Sequence, residues 1–261
     1  MDGARKSELV ADLKAQIRAQ ELGTRPSGPI PTLPFGNGAI DNALPTGGLA
    51  LAAVHEVFGG GPDLLHGSAV TAFVGGIIAR TTGPVIWVLD RKDLFPPSLA
   101  AVGVHHDRVI YVEAGDSKSV LLLIEEALRH VGLAAVVGEI SGKIGLTESR
   151  HLQLAAEASG GLGLLLRRPR RLNQDHTEEP TAARTRWRVT AVPSGPALPW
   201  SPVTPGLARA RWRLDLLSCR GGDPRTFEVE ACNAQGRLGL PADLGDRSAS
   251  TDAEPRRAAH G

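Results

Sequence analysis

The sequence predicts an α/β fold with a mostly parallel central sheet, and three observations carry that prediction. Short, nearly continuous apolar runs recur at 84–89, 133–138 and 162–166, as expected of strands buried on both faces. Helical patterns separate these runs, and strand–helix alternation argues for parallel pairing. At 53–78 a strand, a glycine-rich turn and a helix succeed one another, and the turn is nearly a phosphate-binding loop.

Taken in order, residues 7–21 read as a helix whose Leu9, Leu13 and Ile17 repeat at i+4 as a narrow apolar stripe, with Ser7 as N-cap. Such a helix docks either on a partner or subunit, or back on its own domain. A Pro/Gly-rich linker ends the 1–34 segment. The folded domain is expected over 35–243: strand 53–58, helix 69–78, strand 84–89, short helix 97–102, strand 109–112, helix 119–130, strand 133–138 closed by Glu139, helix 147–159 capped by Thr147, and strand 162–166 stopped by Arg167. Residues 172–185 are polar and aperiodic and predict a mobile excursion. Alternating runs at 186–192, 209–219 and 226–231, the last two joined by a Gly-Gly-Asp-Pro turn, predict an antiparallel extension of the sheet. The tail 244–261 is expected to be disordered.

The loop is the most informative motif. A phosphate loop reads G-x-x-x-x-G-K-[ST]. Here Gly61 opens it, His66 stands at the second glycine, Gly67 at the lysine, and Ser68 at the hydroxyl position. Without the ammonium, phosphoryl transfer loses a main source of positioning and charge stabilisation. A strand-to-helix turn of no further significance has the same appearance. Glu139, at the end of an apolar strand, suits a carboxylate that positions metal and water. The Asp90-Arg91-Lys92-Asp93 group sits where a hydrolase could place a general base, but its two cations fit a solvated, ion-paired loop better.

Arg167, Arg168, Arg170 and Arg171 cluster at the end of a buried strand, where α/β sheets present ligand-binding groups. They predict a nucleic-acid or acidic-partner contact, with a solvated loop as the plain reading. Trp200, in a Pro-rich stretch, is either an exposed partner anchor or a pin for its own loop. The formal net charge of +1 confines any nucleic-acid affinity to a local patch. Only 4% of residues are aromatic, so Ala, Leu and Val are expected to fill the core. Cys219 and Cys232 lie in neighbouring expected strands, where a bridge is geometrically possible, but read as reduced thiols, and His55, His66, His105, His106, His130 and His151 form no metal set. The charged N-terminus and the absence of a long apolar run predict a soluble, cytoplasmic chain.

Beyond these local readings, the chain resembles the ImuA family, RecA-like proteins of bacterial damage-induced mutagenesis. The match is carried by His55-Glu56-Val57, Gly60-Gly61-Pro62, His66-Gly67, residues 83–87, 91–95, 107–114, 126–130 and 149–160, the arginine cluster, Arg211-Trp212-Arg213 and Arg220-Gly221-Gly222. The resemblance implies a RecA-type core and a SOS-response role in translesion synthesis. Its implied partners are ImuB and, through it, an error-prone DNA polymerase, with RecA and single-stranded DNA as further candidates. It also implies self-assembly for the N-terminal helix. No catalytic residue, metal or resident cofactor is expected, beyond vestigial ATP binding at Gly61, His66, Gly67, Ser68 and Glu139. Two other readings stand beside it: a weak DNA-dependent ATPase using Ser68, Glu139 and a lysine such as Lys143, and a cell-division inhibitor with a RecA-like core.

Overall fold

The computed structural model describes residues 31–171, 175–198, 200–201 and 203–241. The expected N-terminal helix with Leu9, Leu13 and Ile17, and the tail 244–261, lie outside them. In chain order the elements are β1 (Thr32–Leu33), α1 (Gly38–Asp41), β2 (Leu49–Ala50), β3 (Ala53–Gly59), α2 (Asp63–Ala79), β4 (Val85–Leu89) and α3 (Pro97–Ala100). There follow β5 (Val109–Glu113), α4 (Ser117–Leu128), β6 (Ala135–Ile140), α5 (Leu146–Ser159), β7 (Leu162–Arg167), β8 (Thr185–Val192), β9 (Arg211–Cys219) and β10 (Arg225–Glu230).

Eight strands form one sheet in the order β10-β9-β8-β3-β7-β6-β4-β5. The six from β8 to β5 are parallel, whereas β9 and β10 join antiparallel. The expected class is therefore correct, with one change: β8 belongs to the parallel set, pairing β3 in the same direction. β3, which feeds α2, is interior between β7 and β8. Its residues are buried on both faces, as parallel sheets require.

Alternation along the strands assigns the two faces. Val57 of β3, with Trp187 and Val189 of β8, joins the core beneath α2; Val54 joins the core beneath α4 and α5. α2 carries apolar residues around most of its circumference and is correspondingly buried at Ala69, Val70 and from Phe73 to Ile78. The few aromatics do not leave the core to aliphatics. Phe73 of α2 lies 6.0 Å from Phe35, 6.1 Å from Trp187 and 6.4 Å from Trp212 between ring centroids, and each such ring contributes about 1.5–3 kcal/mol by burial. α4 packs on β6 at Gly138, where a Cβ would come within 1.9 Å of Ile124 Cδ1, so a side chain there would drive helix and sheet apart.

Several boundaries differ from expectation for local reasons. α4 begins at Ser117 because Asp116 caps it, accepting from Lys118 N and Ser119 N. α5 begins one residue before Thr147, with Gly145 at the cap position, and it ends at Gly160 in the left-handed region (φ 79°). β6 runs past Glu139 to Ile140, because its carboxylate finds buried partners and needs no exit to water. Cys219 and Cys232 are free thiols, as expected. No helix among the described residues is long and apolar enough to cross a membrane.

Candidate functional site

β3 and β6 send their chains to opposite faces of the sheet, β3 to α2 and β6 to α5. Open α/β sheets bind ligands in a crevice at the carboxyl ends of strands where connections diverge in this way. At this crevice the geometry departs from the loop expected of Gly61, His66, Gly67 and Ser68. Only Gly60, Gly61 and Pro62 separate β3 from α2, which begins at Asp63. His66, Gly67 and Ser68 therefore lie inside the helix, where their backbone amides are committed to helical hydrogen bonds rather than to a phosphate. Ser68 is exposed, and His66 Nδ1 accepts from Ala191 N at 3.2 Å.

The side chain at the head of α2 is a carboxylate. Asp63 stands in the first turn, where the helix dipole favours negative charge, and it receives a two-pronged bond from Arg168: Nε to Oδ1 at 3.2 Å and a terminal nitrogen to Oδ2 at 2.8 Å. The same guanidinium donates to Glu139 Oε2 at 2.5 Å and to Asp93 Oδ1 at 2.8 Å. Arg91 completes the group, 2.8 Å from Asp63 and 3.4 Å from Asp93. Glu139 is fully buried, and its second oxygen accepts from Trp87 Nε1 at 2.9 Å.

The electrostatics follow from this closure. Burial raises the Glu139 carboxyl above its ordinary value, against the opposing pull of Arg168. Asp63 is held below its ordinary value; burial opposes this, and the hydrogen bond from Arg168 prevails. Burial likewise works against the charge on Arg168, but its bonds to Asp63 and Glu139 hold the proton more firmly than in water. A Cβ at Gly67 would stand 2.7 Å from Asp63 Oδ1, so a side chain there would push that carboxylate from its place. Where a phosphate loop places a lysine against an anionic ligand, this chain places its own carboxylate at the helix head and its own guanidinium over it.

The arginine cluster divides. Arg167 is buried, donating to Glu179 Oε2 and Gly142 O, both at 2.9 Å, and lying 3.9 Å from Glu56. Arg168 is consumed as described. Arg170 is half exposed, 3.5 Å from Asp90, and Arg171 is exposed; both line an open cleft of ≈ 710 Å³ with Asp116, Ser117 and Gly142. Trp200 is 80% exposed, so its indole does not pin its own loop. Asp90 is buried beneath the cleft, accepting from Ser117 Oγ and Ser141 N, whereas Lys92 lies at the surface beside Glu113. Lys143 is exposed. No cluster of three or more His, Cys, Asp or Glu side chains among the described residues is arranged to hold a metal.

The expected mobile excursion is corrected by a second ionic group. Residues 175–184 are tied down: Thr181 Oγ1 donates to Glu56 Oε1 at 2.8 Å, Ser149 and Thr181 share a hydrogen bond at 2.8 Å, and Arg186 donates to Glu56 at 2.9 Å and to His176 O at 2.9 Å. His176 Nδ1 meets Glu179 Oε1 at 2.7 Å. Polar composition misled here because these polar side chains satisfy buried charges of β3 and β7. Glu56, followed by the polar segment 175–181, was the available signal: an acidic residue inside an apolar parallel strand demands partners from elsewhere.

No family model matches the chain. Protein ImuA of Caulobacter vibrioides is 41% identical to it over 222 residues, covering 82% of this chain and 88% of that protein. Protein RecA of Streptomyces avermitilis is 27% identical over 162 residues, 56% of this chain and 42% of its own length. Protein RecA of Streptomyces ambofaciens is 26% identical over the same length. The RecA likeness and the mostly parallel sheet agree on a RecA-like α/β core.

Proposed function

Because the chain belongs to the ImuA family, we propose that it is a non-catalytic, RecA-like accessory protein of the damage-induced mutagenesis machinery, acting through its surfaces. The observation that carries the non-catalytic part is the seating of Arg168 on Asp63, Asp93 and Glu139. Phosphoryl transfer needs cations free to meet an incoming polyanion and carboxylates free to orient metal and water. Here each is already neutralised by the other. A triphosphate entering the crevice would face three carboxylates and would have to displace a buried guanidinium.

The surfaces proposed to bind lie outside the closed group at the head of α2. Arg170 and Arg171 border the open cleft at the carboxyl end of the sheet, in reach of single-stranded DNA or an acidic partner. Trp200, with exposed Val203 and Leu207, presents apolar area of the kind that anchors protein interfaces. ImuB, and through it an error-prone polymerase, is the partner the family membership favours, with RecA as a second. The proposal places the protein in the cytoplasm. It is tested by co-purification with ImuB and with RecA, with and without DNA. Retention of ImuB by the wild type and its loss in Trp200→Ala supports the reading; no retention under any condition refutes it.

A further inference from the structure

Leu64 and Leu65 occupy the first turn of α2, yet they are 96% and 63% exposed. Phe95, just before α3, is 67% exposed. A lone exposed leucine is ordinary, whereas several large apolar side chains on one flank mark an interaction surface.

Helix geometry gathers them. Leu64 shares a face of α2 with Ser68, Thr71 and Gly75, at i, i+4, i+7 and i+11. The 91–99 segment runs along that face. Arg91 ties its start to Asp63 at 2.8 Å, and Leu99 packs at Gly75, where a Cβ would stand 3.2 Å from Leu99 Cδ2. Phe95 lies midway along the segment and so flanks the same face. On the other side of the helix head, His66 Nδ1 accepts from Ala191 N near the end of β8, which leads to Trp200, Val203 and Leu207. The rings of Phe95 and Trp200 offer roughly 150–250 Å² each. With four exposed aliphatic side chains beside them, this end of the sheet carries more apolar surface than the few hundred Å² of a typical monomer patch.

The charges around Leu64 and Phe95 are matched within the chain. Asp63, Asp93 and Glu139 share Arg168, Arg91 lies between Asp63 and Asp93, and Lys92 meets Glu113 at 2.5 Å. The flank therefore suits an uncharged apolar surface rather than a polyanion. We propose that it receives the apolar face of an amphipathic helix from a partner protein, with Leu64, Leu65 and Phe95 as its anchors. The row of Leu64, Ser68 and Thr71 beside Phe95 gives such a helix an apolar end followed by small residues that let it approach closely. This inference rests on the partner reading above and adds to it a contact that salt does not weaken, unlike that of Arg170 and Arg171.

The test is retention of ImuB by the full chain at about 0.15 M and about 1 M salt, for wild type, for Leu64→Ser combined with Leu65→Ser, and for Phe95→Ser. The three residues are exposed, so the variants are expected to keep the wild-type Tm; Phe95→Ser decides the matter if the double variant does not. Wild-type retention at both salts, weakened at least about tenfold by the substitutions, is the expected result. Retention unchanged by the substitutions overturns this inference and leaves the partner reading standing. Wild-type retention that disappears at high salt also overturns it, by assigning the contact to charge. Absence of wild-type retention removes the partner reading and this inference together. Sedimentation of the chain alone tests the other occupant: self-association that the double variant abolishes gives the flank to a second copy and overturns the proposal.

Discussion

Glu139 and Arg168 meet at 2.5 Å between a fully buried carboxylate at the end of β6 and a guanidinium delivered by the residue just after β7. The pair is part of a group in which every charge leans on another. Removing one partner leaves an uncompensated buried charge, and replacing both does not. Arg168→Ala is therefore expected to destabilise by about 3–5 kcal/mol, while Arg168→Ala combined with Glu139→Gln recovers at least about 1 kcal/mol of that loss. Urea unfolding of the two variants measures both; additive losses would show that the pair is not coupled.

Restoring the missing lysine is expected not to restore activity. Gly67 lies in the second turn of α2, and any side chain there meets the Asp63 carboxylate. Gly67→Lys is expected to lower stability by about 1–3 kcal/mol and to release no phosphate from ATP. Measurable turnover in this variant would mean that the helix head can reopen as a phosphate loop.

His55 supplies a pH dependence. It is fully buried in β3, with Nε2 donating to Ala50 O at 2.8 Å and Nδ1 accepting from Thr185 Oγ1 at 2.7 Å, and burial lowers its pKa from 6.5 to about 4. A depressed folded-state value means that the unfolded chain takes up the proton first, so stability present above pH 6.5 is lost as pH falls towards 4. The full loss is about 3 kcal/mol. Denaturant unfolding between about pH 7 and pH 4.5 should show the wild type losing its advantage over His55→Gln; a constant difference contradicts the assignment.

The two halves of the arginine cluster should behave differently. Arg170 and Arg171 changed together to Ala are expected to lower Tm modestly, through loss of the Arg170–Asp90 pair, and to lower the salt slope of single-strand binding by about 2. Arg167→Ala, which strips Glu56 and Glu179 of a buried cation, is expected to cost about 3–5 kcal/mol. Intact low-salt binding in the Arg170/Arg171 variant would make that edge a solvated loop.

Why some of this was legible in the sequence and some was not has a physical reason. β4, β6 and β7 announce themselves because strands buried on both faces are apolar without interruption, and that signal is local. The direction of β8 is not local: its alternation describes two unlike faces and says nothing about which way its neighbour runs. Glu139 was identifiable, but Arg168 as its partner was not, since the contacts to Glu139, Asp93 and Asp63 span 29, 75 and 105 residues. α2 starts earlier than expected because Asp63, Leu64 and Leu65 read as loop residues only when the motif is taken as a phosphate cradle. Without the motif, proline followed by an acidic residue and two leucines reads as a helix start.

The most direct measurement is phosphate release by the purified protein with ATP and single-stranded DNA, for wild type and Glu139→Gln. Closure of the crevice by Arg168 predicts background release from both. Turnover by the wild type that Glu139→Gln abolishes would contradict it.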